Sequence, residues 1–170
     1  MQIRIVLAAL IASVFWSSAP VSAQESLNPL VGAWKLISVE TRKSDGTVSP
    51  LYGAATSGLL VYDGSGQMSA HLMDLSIARC GTMDRRKCPD PVARGAFDNY
   101  LGYWGRYELV PGETVVVHHV EGASHPDWIG TAQKRFFEVS GNRLVISTPP
   151  MMIRGVESVV VVVAERVDAK

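Results

Sequence analysis

The chain has 170 residues, with 16 Lys plus Arg against 16 Asp plus Glu, so its formal net charge is zero. That balance excludes a dominant role on nucleic acid or on an anionic membrane surface, both of which need a basic excess. With 47% hydrophobic and 19% charged residues the chain is not of the disordered class, and its length suits one domain better than two.

The chain opens with Met1-Gln2-Ile3-Arg4, an apolar run from Ile5 to Trp16, and the small-residue triplet Val21-Ser22-Ala23. A charged start, a short apolar stretch and an A-x-A-like site read as a secretory signal peptide over residues 1–23, cleaved after Ala23. The run is too short to span a bilayer of about 30 Å as a helix. No cysteine stands at the cleavage site. The expected protein is therefore periplasmic or secreted, with no stable membrane anchor. Losing Arg4 leaves the mature chain one acidic residue in excess.

Leu30 to Glu40 reads as a first strand, and Ser44-Asp45-Gly46 supplies turn chemistry after it. Gly58 to Tyr62 and Gln67 to Met73 form a hairpin about Asp63-Gly64-Ser65-Gly66. Cys80 and Cys88 follow, the two cysteines of the chain. In an oxidising compartment such a pair persists as a disulfide, here closing a loop of nine residues. The run Asp84-Arg85-Arg86-Lys87 inside it reads as a solvated tip. Asp90-Pro91 opens a short helix through Tyr100, with Asp90 as N-cap and Pro91 as first helical residue. Tyr103 to Leu109, Thr114 to Glu121, Ala132 to Val139 and Arg143 to Ser147 are four more strands, with turns at Pro111-Gly112 and Ser140-Gly141-Asn142. Val156 to Val167 is the last.

About eight strands, one short helix and no βαβ alternation predict an all-β antiparallel barrel or sandwich. The valine run Val159 to Val163 suits a strand covered on both faces, since an exposed edge of that kind would aggregate. A closed barrel removes the edge.

Several segments make a resemblance specific. Leu30-Val31-Gly32-Ala33-Trp34-Lys35-Leu36, Asp45 to Gly53, Gly58 to Tyr62, Gly66 to Ala70, Tyr100 to Glu108 and His118 to Gly122 occur in order. Pro126-x-Trp128-x-Gly130-Thr131-x-Gln133 and Leu144-x-Ile146-Ser147-Thr148-Pro149-Pro150 follow them. Together they resemble the bacterial and fungal lipocalin-like domain family, over residues 27–170. The resemblance implies a small calycin-type barrel. It also implies that Trp34 plugs the closed end and that Arg166, from the neighbouring last strand, lies across its ring as a structural pair. The insert around Cys80–Cys88 departs from the family pattern.

Side chains alternate along a strand. With Trp34 inward, Leu36 and Ser38 share its face. With Arg166 inward, so do Ala164, Val162 and Val160. Adjacent His118 and His119 point to opposite faces. His119 shares parity with Glu121, a pair suited to acid–base work, or else a hydrogen-bonded histidine with its carboxylate partner. His71 is a third candidate on a neighbouring strand. His125 lies in an exposed loop. Tyr62, Tyr100, Tyr103, Trp104, Tyr107 and Trp128 form an aromatic set that either packs a core wall or rims a ligand. Arg135 is either surface decoration or, if inward, a buried cation needing Glu121 or a ligand carboxylate.

No G-x-S-x-G, H-E-x-x-H, phosphate-binding glycine loop or four-ligand zinc pattern occurs. No metal and no cofactor is expected. The leading expectation is an exported module binding a small, largely apolar molecule in the barrel. The alternative is a cyclase, isomerase or hydrolase using the same cavity, with His119 or Glu121 as acid–base and a tyrosine as proton donor.

Overall fold

The computed structural model describes residues 28–53, 55–153 and 155–167, so the expected signal peptide lies outside the described residues. Ten strands and one helix follow in chain order: β1 (Gly32–Lys43), β2 (Val48–Pro50), β3 (Thr56–Tyr62), β4 (Gln67–Asp74), α1 (Asp90–Asp98), β5 (Tyr100–Leu109), β6 (Val115–Ala123), β7 (Ala132–Ser140), β8 (Arg143–Ser147), β9 (Met151–Ile153) and β10 (Val156–Arg166). All strand pairings are antiparallel. The spatial order runs β1-β3-β4-β5-β6-β7-β8-β10, and β10 pairs back onto β1, which closes an eight-stranded barrel. The three-residue strands β2 and β9 append to β1 and β10 at the rim.

Closure runs from Trp34 opposite Arg166 to Lys43 opposite Ser158. The register slips between Leu36 and Ser38. This bulge changes the inward set from Trp34 and Leu36 to Val39 and Thr41, all buried, so Ser38 does not continue the face of Trp34 as strict alternation predicts. Along β10, Val161, Val162, Val163 and Ala164 are all buried, so both faces of the valine strand are covered. Helix α1 is shifted by one residue from its predicted start: Pro89 is the N-cap, Asp90 lies in the first turn, and Asn99 ends the helix before Tyr100 begins β5. The disulfide Cys80–Cys88 closes the loop ahead of it.

The barrel is packed at one end and hollow at the other. Leu30, Trp34, Tyr62, Met68, Leu144 and Ala164 are buried and fill the closed end. Two residues further along the same strands, Leu60, Ala70, Ile146 and Val162 line a cavity of about 430 Å³.

Candidate functional site

The cavity wall is largely apolar. Leu60, Ala70, Leu72, Ile146, Val160 and Val162 come from the inward positions of β3, β4, β8 and β10. Helix α1 lays Phe97 at the mouth beside Arg94 and Asp98, which pair with each other at 2.8 Å. The segment after β6 contributes His125 and Trp128, stacked with centroids 6.1 Å apart; Trp128 meets Tyr103 edge-on at 5.5 Å.

Polar groups gather at the floor. His118 is fully buried between two tyrosines, with Nε2 2.9 Å from the Tyr62 hydroxyl and Nδ1 3.0 Å from the Tyr103 hydroxyl. Burial, then the nearby Arg135 charge, lower its pKa from 6.5 to about 3. His118 is therefore neutral at pH 7, with one N–H and one lone pair. It can donate to one tyrosine and accept from the other, which satisfies both ring nitrogens. Burial raises the pKa of both tyrosines, that of Tyr62 strongly. For Tyr103 the Arg135 guanidinium pulls the other way.

Arg135 stands on β7 among the inward residues and is only 8% exposed. Its Nη1 donates to the Lys134 carbonyl at 2.8 Å and to Gln133 Oε1 at 3.4 Å. Gln133 is held in turn: its Nε2 donates to Thr131 Oγ1 at 2.8 Å, and that hydroxyl donates to the Trp128 carbonyl at 2.7 Å. The guanidinium lies 6.0 Å from the Trp128 ring centroid. The Pro126–Thr131 turn thus orients both the indole and, through Gln133, the cation.

The predicted site residues divide into three groups. Trp128 and Arg135 line the cavity; Tyr100 borders it but turns its hydroxyl outward to His71; Tyr62 lies behind Tyr103, joined to it through His118. Tyr107 belongs to the closed end, where its hydroxyl donates to the Asp63 carbonyl at 2.8 Å and accepts from Asn28 Nδ2 at 2.8 Å. His71, Trp104, His119 and Glu121 face outward. His71 Nδ1 is 2.9 Å from the Tyr100 hydroxyl on an exposed face, and Trp104 is 53% exposed. Glu121 pairs with Arg106 at 3.2 Å and His119 with Glu108 at 3.2 Å. His119 and Glu121 do not form a pair: each meets a side chain of β5 instead, His119 with Glu108 and Glu121 with Arg106, and the register slips at Trp104/Gly105 opposite Glu121. Among the described residues no cluster of three or more His, Cys, Asp or Glu could hold a metal ion.

Sequence reasoning missed His118. The signal lies in its neighbours: Val116 and Val120 flank it two residues away and are buried, whereas His119 has Glu121 at that spacing. It also missed Tyr52 and Phe97, which come from a loop and a helix without period-2 patterning.

The model of the lipocalin-like domain matches residues 31–167, most of the chain and all eight barrel strands. The chain belongs to the lipocalin-like domain family. The chain is also similar to the 4'-hydroxy-3'-methoxypropiophenone carrier protein ppsC of Aspergillus oryzae (strain ATCC 42149 / RIB 40), at 38% identity over 69 residues. That match takes in 36% of this chain and 62% of the relative, less than two thirds of the relative's length. No solved structure matches the chain.

Proposed function

We propose that this lipocalin-like protein is an exported carrier that holds one small, largely apolar molecule in the hollow half of its barrel. The observation that carries the proposal is the cavity of about 430 Å³, walled mostly by aliphatic and aromatic side chains with a few polar groups among them. That is the size and chemistry of ordinary small-molecule sites. The likeness to a carrier protein supports it. Export is supported by the leader sequence and by the Cys80–Cys88 disulfide. No helix among the described residues is long and apolar enough to cross a membrane. The enzymatic alternative rests on His119 or Glu121 as its acid–base group. His119 and Glu121 lie outside the cavity, and His118, titrating near 3, is far from the range of an effective general base at neutral pH.

Native mass spectrometry of the periplasmically expressed protein tests both parts. The expected mass starts at Gln24 and carries a small-molecule adduct. In Ala70→Leu, three added carbons project into the cavity and the adduct should fall at least about tenfold, since a filled site has no room for ligand. A chain starting at Met1 would sink export. A protein with no adduct and no saturable uptake of 1-naphthol would sink carriage.

A further inference from the structure

The cavity walls are apolar, yet one of them holds a cation. Arg135 is buried and borders the cavity, and no carboxylate among the described residues lies within ion-pair distance of it. The candidates are engaged elsewhere: Asp98 at the mouth pairs with Arg94, and Glu121 turns outward to Arg106. Its protein partners are neutral oxygens: Nη1 donates to the Lys134 carbonyl and to Gln133 Oε1, and the Tyr103 hydroxyl stands beside the guanidinium as a further partner. Arg135 borders the cavity, and among the described residues no side-chain nitrogen sealed from solvent is left without a hydrogen-bond partner. The neutral tyrosine–histidine floor supplies no compensating charge. Burying a charge without a counterion is costly, and a planar guanidinium fork suits a carboxylate. Trp128, Tyr103 and Phe97 line the same cavity as the fork, which favours a flat ring.

Resting on the carrier reading above, we propose that the cargo is a small aromatic carboxylic acid, bound as the carboxylate on Arg135 with its ring among Trp128, Tyr103 and Phe97. Gln133 and Thr131 are positioning residues that hold the fork from behind, and the bound acid supplies the missing counter-charge.

Isothermal titration calorimetry with 2-naphthoate and its isosteric neutral amide, 2-naphthamide, at pH 7.5 tests this. A charge-assisted, two-pronged contact in a desolvated site should give the acid about a 10- to 100-fold preference in the parent protein. Arg135→Met removes the charge and keeps an apolar stem, so the ratio of the two affinities should collapse toward one. Arg135→Lys keeps a charge but loses the fork, so an intermediate ratio is expected. Circular dichroism reports whether each variant is folded; if Arg135→Met is not, the parent and Arg135→Lys ratios decide. Equal affinities in the parent, or a preference undiminished in folded variants, would overturn the acid assignment while leaving carriage intact. Failure of both probes to bind a parent protein that still takes up 1-naphthol would overturn the acid assignment alone; failure of all three to bind would remove the carrier reading with it.

Discussion

His118 gives the floor of the cavity a pH dependence. Its pKa is about 3 in the fold and 6.5 when unperturbed. Between those values the unfolded chain binds a proton that the folded protein does not. The folded pKa is the lower one, so this stability is fully present above about 6.5 and is lost as pH falls toward 3. From pH 7.5 to 4.5 the loss should be about 2–3 kcal/mol. His118→Gln cannot titrate, so it should start less stable at pH 7.5 but change less on acidification. Asp45, Asp63 and Asp74 have pKa values held below the ordinary value, largely by hydrogen bonds in their turns, but they are common to both proteins. Urea unfolding at the two pH values checks the difference, and parallel losses in parent and variant would contradict it. His118 also shows where the sequence stops being legible. That the two histidines face opposite ways follows from adjacency alone. Which of them faces in depends on the register of β6 against β5 and β7, which periodicity leaves open. Arg135 left two possibilities for the same reason, and only its placement beside the cavity selects the inward one.

At the scale of elements, the long strands were legible because each combines alternation with glycine-bearing turns. Gly46, Gly66, Gly112 and Gly141 have positive φ at the connections. Strands β2 and β9 are three residues long and carry no period, and their pairing comes from neighbours that the barrel brings close. The disulfide element stands apart from the barrel. It spans a short turn, Arg85–Lys87, with no buried residue, in which the Asp84 side chain accepts from the Arg86 amide. Its contribution is therefore mainly loop closure, about 2.5 kcal/mol for a loop of this length. Replacing Cys80 and Cys88 together by Ser should lower Tm by about 5–10 °C and leave the far-ultraviolet β signature in place. Complete loss of folding would show that the loop supports the barrel in a way its exposure does not suggest.

For the whole molecule, what counts is closure, and closure concentrates at one corner. Trp34 Nε1 donates to the Leu30 carbonyl at 2.7 Å, and the Arg166 guanidinium carbon lies 4.0 Å from the indole centroid. The same guanidinium donates to the Val31 and Pro29 carbonyls, through Nη1 at 2.6 Å and Nη2 at 2.9 Å. First strand, last strand and the segment entering the barrel thus meet in one contact. Gly32 permits it: φ is +137°, and a β-carbon there would lie 2.5 Å from Arg166 Nη1. Trp34→Ala empties a fully buried site and should cost about 3–5 kcal/mol, severe against a total of about 5–15 kcal/mol. Arg166→Leu keeps the apolar stem but loses the cation and two charge-assisted hydrogen bonds, so about 2–3 kcal/mol is expected. Once Trp34 is gone the ring contact no longer exists, and changing Arg166 should then remove only the two carbonyl contacts. The double variant should accordingly be about 1–2 kcal/mol more stable than the sum of the single losses implies. Urea unfolding of the three variants and the parent measures that coupling. Additivity within about 0.3 kcal/mol would mean that the indole and the guanidinium contribute independently, and that the backbone pairing of β1 with β10 closes the barrel without them.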